Sequence, residues 1–223
     1  MFIMVKNRRL LIYIGISTAL TIAVIVAIIL IVRKVRANNE VKEPRIVTLT
    51  IDAPDDIPLD QKEQIIYDIL LEEGYSPAGA CGIMGNIAVE SPDYDTAALN
   101  ETSGALGLFQ WTDDGDRQQH LKDFCRDNKR NWNSIEAQLE FAIYELSGGD
   151  PIACRLDDFL KETDNSYAAA VEFAAGFERC ITDSGKKADR YMGSLYPEFY
   201  GEYYQGLSKR VNKAMNYYLR FNE

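Results

Sequence analysis

The apolar residues near the N terminus are concentrated in one uncharged stretch that starts at Leu10 and ends at Val32. About 20 apolar residues are enough for a helix that spans a bilayer. The run therefore predicts a single transmembrane helix, preceded by a short tail over residues 1–9. A cleaved signal peptide is the alternative, but its apolar core normally has only about 7 to 15 residues.

Beyond this run, apolar positions recur at helical spacing in several separate segments. The first segment follows Asp60, which forms a capping-box pattern with Glu63 three residues later. In the second segment, Ser76 is the predicted N-cap and Pro77 the first helical residue. Further helices are predicted over residues 117–127, 134–146, 152–161, 166–179 and 207–221.

These segments predict a mainly helical single domain over residues 58–223. A polar linker over residues 33–57 joins this domain to the apolar run. Within the linker, the alternating stretch 45–51 is compatible with a short strand or with an extended chain. Residues 100–112 are the expected place of a small hairpin or loop.

The chain is acidic, with 24 basic and 34 acidic side chains and a net charge of −10. Only Lys6, Arg8 and Arg9 precede Arg33, so residues 33–223 carry 21 basic against 34 acidic side chains, a net charge of −13. Nucleic-acid binding needs clustered lysines and arginines. This balance therefore argues against a nucleic-acid partner.

The clearest chemical signal lies in the second predicted helix, which ends in Glu90 before Pro92 interrupts it. A carboxylate at this end meets the negative pole of the helix dipole, and partial burial also disfavours its charge. We expect both effects to raise the pKa of Glu90. A raised pKa would suit a general acid that works at neutral pH.

Four sequence blocks extend this signal: Cys-Gly-Ile-Met-Gly-Asn-Ile with the later Glu-Ser within residues 81–91, Gly-Leu-Phe-Gln-Trp at 107–111, Gln-Leu-Glu-Phe at 138–141 and Phe-Glu-Arg at 177–179. Together they resemble the phage tail lysozyme family of the lysozyme-like superfamily, with a looser match at Arg210 and Ala214. The resemblance covers residues 59–221. It departs from the family in a turn at 91–96 that is one residue longer and in an insertion at 181–205.

The resemblance implies a lysozyme-like helical fold and cleavage of the β-1,4 glycan bonds of peptidoglycan, with Glu90 as the catalytic acid. It implies no metal and no organic cofactor. Asn86 lies one helical turn before Glu90 on the same face, where it could orient Glu90, contact an N-acetyl group or satisfy nearby backbone. Ser91 could contact substrate or simply hold the end of the helix by local hydrogen bonds.

Other candidate substrate-binding residues lie in the later blocks. The resemblance places Gln110 in the cleft, where its amide can donate to and accept from sugar hydroxyls. Phe109 and Trp111 could stack on sugar rings or pack in the core, and we favour the core for Phe109. Glu140 could support the site, belong to a buried network or be a solvated surface residue.

A second catalytic carboxylate is not singled out by the sequence. Inverting hydrolysis needs one at about 6.5 to 9.5 Å from the acid, and many acidic residues fall near the predicted cleft. His120, the only histidine, is expected to be solvated. The carboxylate candidates are Asp93, Asp95, Glu101, Asp113, Asp114 and Asp116.

The four cysteines lack a close Cys-x-x-Cys spacing, which argues against a zinc site. A location outside the cell permits disulfides. We predict a disulfide between Cys154 and Cys180, which lie near predicted helix ends, and a buried thiol at Cys81.

The sequence thus predicts a peptidoglycan lytic enzyme anchored in the cell membrane by one span. Because its substrate lies outside, the C-terminal domain is expected outside and the N terminus in the cytoplasm. Hydrolysis is favoured over lytic transglycosylation, and the rival from another class is a non-catalytic, membrane-tethered peptidoglycan-binding module. The biological setting stays open between wall remodelling, a wall-spanning secretion or conjugation machine, and a phage function.

Overall fold

The computed structural model describes residues 24–29, 43–50, 57–113, 115–180 and 206–222. The chain divides into two compact units, Met1–Val41 and Lys42–Glu223. Residues 24–29 of the first unit are helical. Among the described residues, no helix has both the length and the apolar character needed to cross a membrane. Most of the predicted span at 10–32 lies outside the described residues, so the transmembrane prediction gains no support here.

The described part of the second unit is helical, without a regular β-strand. Two short irregular helices lie among the described residues that follow Tyr144: a π-helical turn at Glu145–Gly149 and a 3₁₀ turn at Ala153–Arg155. The α-helices in chain order are α1 (Leu59–Glu72), α2 (Pro77–Glu90), α3 (Arg117–Asp127), α4 (Ile135–Tyr144), α5 (Asp157–Glu162), α6 (Ser166–Gly176) and α7 (Leu207–Asn222).

The start of α2 confirms the prediction from the sequence. Ser76 is its N-cap and accepts a hydrogen bond from the Gly79 backbone at 2.9 Å, and Pro77 is the first helical residue. The capping box predicted for α1 is wrong. Pro58 occupies the N-cap position, and Glu63 is buried and accepts hydrogen bonds from Tyr217 and Arg220 instead.

Helix α2 is the central element and is buried along almost its whole length. Its glycines allow neighbouring helices to approach closely. A Cβ on Gly85 would lie 2.6 Å from the Arg210 carbonyl oxygen and 2.8 Å from the Ala214 Cβ, and a Cβ on Gly82 would lie 2.3 Å from the Ala169 Cβ. The backbones of α6 and α7 can therefore pack directly on α2.

The segment between α2 and α3 forms turns rather than a hairpin. Isolated β-bridges join Leu106 to Leu99 and to Trp111. The side chain of Gln138 in α4 binds the backbone of this segment at two points. Its Oε1 accepts a hydrogen bond from the Leu108 N–H at 2.8 Å, and its amide donates to the Thr96 carbonyl at 2.8 Å. A side chain at Gly107 would collide with Gln138, which explains the glycine.

The described stretch 43–50 is an extended chain that packs on the helical domain. Its Leu49 is buried, and the Leu49 backbone N–H donates to Glu140 at 2.6 Å. Arg45 donates its backbone N–H to Ser147 at 2.8 Å. The compact unit thus includes residues that the sequence analysis assigned to the linker, because polar side chains of the domain satisfy their backbone groups.

Candidate active site

Glu90 is the last residue of α2 and lies against α7. Its carboxylate Oε1 forms an ion pair with Nη2 of Arg210, and the two side chains are 20% and 6% exposed. The second guanidinium arm of Arg210 donates to Asn86 Oδ1 at 3.0 Å. One arginine thus bridges Asn86 and Glu90, which lie one turn apart on the same face of α2.

Asn86 is fully buried, and its amide has further partners in the core. Its Nδ2 donates to the carbonyl oxygens of Gly82 at 2.9 Å and Ala170 at 3.1 Å. Among the alternatives weighed from the sequence, the structure combines two: Asn86 satisfies nearby backbone, and it orients Glu90 through Arg210. A contact with an N-acetyl group does not fit a side chain that is 0% exposed.

A second acidic side chain lies near Glu90. Burial raises the pKa of Glu178 well above its ordinary value, and the charge of Glu90 acts in the same direction, while Arg210 and Arg117 oppose it. Its Oε1 is buried and has no hydrogen-bond partner among the described residues. The site therefore contains two carboxyl groups in different environments: Glu90 is paired with a cation, and Glu178 has one buried oxygen without a partner among the described residues.

A buried ion pair supports the other side of this site. Arg117 of α3 binds both oxygens of Glu145 at 2.8 Å, and it donates to the Phe177 carbonyl at 3.0 Å. The Trp111 indole N–H donates to the same Glu145 at 2.9 Å. These bonds tie the 107–111 block to the backbone that directly precedes Glu178.

Of the two alternatives left open for Trp111, stacking on a sugar ring or packing in the core, the structure shows packing in the core. The Trp111 ring is 0% exposed and packs against Phe109 and Phe141, so it presents no free face to a ligand. Phe109 is also buried, as favoured from the sequence. Gln110 is partly exposed, with a positive φ of 49°, but its amide N–H donates to the carbonyls of Ala98 and Gly107. It holds the shape of the turn.

Ser91 and Glu140 also have internal partners. Ser91 Oγ accepts from the Asp95 backbone N–H at 2.8 Å and donates to the Asp95 carbonyl at 3.0 Å, which is the local helix-end role. Glu140 is 1% exposed and binds Arg130 and the Leu49 backbone. Glu140 therefore belongs to a buried network that anchors stretch 43–50.

The acidic residues considered as a second carboxylate are exposed wherever they are described. Asp95 accepts from the Ala97 backbone, and Asp114 lies outside the described residues. His120 is exposed, as expected. Among the residues that the structure describes, none of these side chains forms a hydrogen bond or ion pair with Glu90, whose partner is Arg210.

A groove of about 360 Å³ runs between the end of α2 and α7. Two lysines on its α7 side make this surface positive in an otherwise acidic unit. Glu90 is not among the lining residues, because its side chain points to Arg210. The groove is lined by Ala88, Val89, Pro92, Lys209, Asn212, Lys213 and Asn216.

The predicted Cys154–Cys180 disulfide is not formed, since Cys180 is a free cysteine in the structure. Burial raises the pKa of its thiol to about 12, so very little thiolate is available for disulfide exchange at neutral pH. Cys81 is a buried thiol, as predicted, and burial likewise raises its pKa to about 12.

Sequence reasoning assigned no role to Arg210 and Glu178, although both lie in blocks on which the resemblance was based. The signal that could have found them was charge. Each is an ionisable residue placed within an apolar helical pattern or directly after one, where a solvated side chain is not expected.

Comparison with known proteins agrees with these blocks. The family model for phage tail lysozyme matches residues 61–221, which is most of the chain and includes Glu90, Glu178 and Arg210. None of the curated proteins matches the chain. Because the family match extends from α1 to the last turns of α7, the chain belongs to the phage tail lysozyme family, which indicates lytic activity on peptidoglycan.

Proposed function

We propose that this protein cleaves the β-1,4 glycan bonds of peptidoglycan, with Glu90 as the general acid. The observation that carries the proposal is the Asn86–Arg210–Glu90 arrangement inside the region matched by the family. It fixes one carboxyl group at a helix end while leaving part of it accessible to a ligand.

The chemistry assigned to each residue follows from these contacts. Glu90 gives a proton to the glycosidic oxygen as the bond to the anomeric carbon breaks. Arg210 stabilises the carboxylate that remains and restricts its orientation. Asn86 holds the guanidinium in place from a fully buried position.

We propose hydrolysis as the outcome of the reaction, with lytic transglycosylation as the alternative. In hydrolysis a water attacks the anomeric carbon. In transglycosylation the C6 hydroxyl of the muramic acid attacks instead, so one carboxyl group can serve as acid and then as base. The acidic turn after Trp111, with Asp113 and Asp116 exposed, supports hydrolysis because it offers carboxylates that could orient water.

We also propose that residues 10–32 anchor the protein in the cell membrane and that Lys42–Glu223 works outside. The apolar run supports the anchor, and the location of peptidoglycan supports the orientation. An anionic cell wall does not attract an acidic enzyme over long distances. Tethering to the membrane would instead raise the concentration of the enzyme near the wall. A wall-spanning secretion or conjugation machine is one setting in which such an anchored enzyme would act.

The test is Glu90→Gln, which keeps size and hydrogen bonding but removes the proton that is transferred. We expect at least about a 10²-fold loss in the lysis rate of purified cell walls, with thermal unfolding nearly unchanged. Glu162→Gln is a matched control, because Glu162 is also the last residue of a helix but is exposed. A Glu90→Gln variant that lyses walls at the wild-type rate would remove Glu90 from this role.

A further inference from the structure

Helix α7 concentrates positive charge in a chain that is acidic as a whole. Its 16 residues include four basic side chains and no acidic one, whereas the full chain has a net charge of −10. Two of these cations, Arg210 and Arg220, are engaged in ion pairs within the fold. The other two, Lys209 and Lys213, are exposed. They are therefore available to a ligand outside the fold.

The two exposed lysines share one face of α7 with two asparagines. Lys209, Asn212, Lys213 and Asn216 follow one another at helical spacing, which places all four on the same side of the helix. All four are exposed, and none of their side chains forms a hydrogen bond or ion pair with another residue that the structure describes. The row extends along the helix for about 10 Å, which is the length of about three extended peptide residues.

The end of α2 supplies an apolar floor beside this row. Ala88, Val89 and Pro92 line the groove of about 360 Å³ together with the four polar side chains. The buried face of α7, which includes Ala214, packs on Gly85 of α2, and this contact holds the row next to the end of α2. The groove therefore has hydrocarbon on one side and two ammonium and two amide groups on the other.

The charge around the groove is positive. Two acidic residues lie next to the lining residues in the sequence, but neither lines the groove. Glu90 is paired with Arg210, and the backbone carbonyl of Asp93 accepts a hydrogen bond from Lys62 of α1 at 3.4 Å. Lys62 thus brings a third lysine to this end of α2. The groove therefore favours an anionic ligand.

The groups that line the groove determine which anionic ligand fits. Ammonium groups pair with carboxylates or phosphates, amide groups both donate to and accept from peptide groups, and an apolar floor buries methyl groups. A plain phosphodiester polymer would pair with the lysines but offers no amides for the asparagines and no methyl groups for the floor. The peptide stem of peptidoglycan offers all three, because it carries alanine methyl groups, amides and free carboxylates.

The groove lies next to the proposed catalytic carboxyl. Val89, which lines it, directly precedes Glu90 in the last turn of α2. On α7, the exposed Lys209 directly precedes the buried Arg210 that binds Glu90. In a glycan strand whose β-1,4 bond lies at Glu90, the stem branches from the muramic acid ring that holds this bond. The stem therefore leaves the strand beside the groove.

We propose that this groove binds the peptide stem of the strand being cleaved. Lys209 and Lys213 pair with stem carboxylates, and the end of α2 receives an alanine methyl group. The inference rests on the proposed cleavage at Glu90 and adds a substrate preference, since strands that carry stems bind better than bare glycan. The lysines do not touch the bond that breaks, so they act on binding and not on proton transfer.

The experiment measures cleavage of two substrates by the full chain: glycan strands with stems, and strands from which an amidase has removed the stems. Lys209→Gln/Lys213→Gln removes two charges from an exposed face. We expect its preference for stem-bearing strands, taken as the ratio of the two kcat/KM values, to fall about threefold to tenfold. Lys122→Gln/Lys129→Gln is the matched control, because it removes the same charge from lysines that do not line the groove, and it should keep the wild-type ratio. An unchanged ratio in the groove variant would overturn the proposal.

A binding measurement needs no cleavage and so separates this proposal from the role of Glu90. Saturation-transfer NMR is recorded on full-length Glu90→Gln with N-acetylmuramyl-L-alanyl-D-glutamate. We expect saturation of the alanine methyl signal, and weaker saturation when Lys209 and Lys213 are also replaced by Gln. Saturation of the sugar signals alone, or none, would overturn the proposal, as would lysine-dependent binding of poly(glycerol phosphate) in place of the muramyl peptide. Stem binding together with normal wall lysis by Glu90→Gln would support the groove and reject the proposed function of Glu90.

Discussion

Replacing Arg210 tests the arrangement of the active site most severely, because one side chain holds both Asn86 and Glu90. Arg210→Met keeps much of the apolar stem but removes every donor. Asn86 Oδ1 is then left fully buried without the guanidinium, and the Glu90 carboxylate loses its cation. Arg210→Lys is the matched comparison, because it keeps the charge but cannot reproduce the two-armed geometry of the guanidinium.

The size of the effect follows from the burial of the partners. A buried acceptor left without its donor costs about 1–3 kcal/mol, and breaking a buried ion pair costs about 3–5 kcal/mol. The Glu90 side chain is 20% exposed, so water can replace part of the lost interaction. We expect Arg210→Met to reduce the free energy of unfolding by about 3 kcal/mol. In a domain of this size that lowers Tm by about 6–12 °C.

The assay combines thermal unfolding with lysis of purified walls at a temperature where both variants stay folded. We expect Arg210→Met to lose about 10²-fold in lysis rate, because the acid is no longer held in position. Arg210→Lys should fall between this variant and the wild type in both measurements. If Arg210→Met unfolded within 2 °C of the wild type and lysed walls normally, the bridge would contribute neither stability nor catalysis.

Two further predictions concern the packing and the buried charge around α2. In Gly85→Ala the added Cβ would lie 2.6 Å from the backbone of α7. We therefore expect the free energy of unfolding, measured with denaturant, to fall by about 1–3 kcal/mol, and wall lysis, measured by turbidity, to be slower. Wild-type values in both measurements would refute the close packing. Burial raises the pKa of Glu172 to about 7. A raised pKa means that the folded state binds its proton more tightly, so this contribution to stability is present below pH 4.5 and is lost as pH rises through 7. Glu172→Gln should therefore be more stable than the wild type at pH 8 by about 3 kcal/mol and equally stable near pH 4, and equal stability at pH 8 would contradict it.

The helices could largely be predicted from the sequence because local signals determine their ends. Ser76 and Pro77 begin α2 as expected, and the limits of α3 agree with the prediction residue by residue. The predictions were less accurate where tertiary contacts decide. The helix expected over 134–146 changes to a π-helical turn at Glu145, where the side chain is held by Arg117 and Trp111. No local pattern contains that information.

The candidate site likewise contains residues that local sequence signals predict and residues that only tertiary contacts identify. Glu90 could be found because it combines a helix end with a motif. Trp111 and Glu140 have residue types that suit sugar binding, but whether they face a cleft or the core depends on partners far away in sequence. Arg210 lies 120 residues from Glu90, and only the packing of α7 on the glycines of α2 brings the two together.

The most direct test of the account is the chemistry of the products released from purified peptidoglycan by the full chain. We expect mass spectrometry to find glycan fragments cut at the β-1,4 bond, with reducing muramic acid ends if water is the acceptor, and to find almost none with Glu90→Gln. Fragments lighter by one water, with 1,6-anhydro ends, would keep Glu90 as the acid but change the outcome to transglycosylation. Intact glycan strands, or cuts only in the peptides, would contradict the claim that this protein is a glycan-cleaving enzyme.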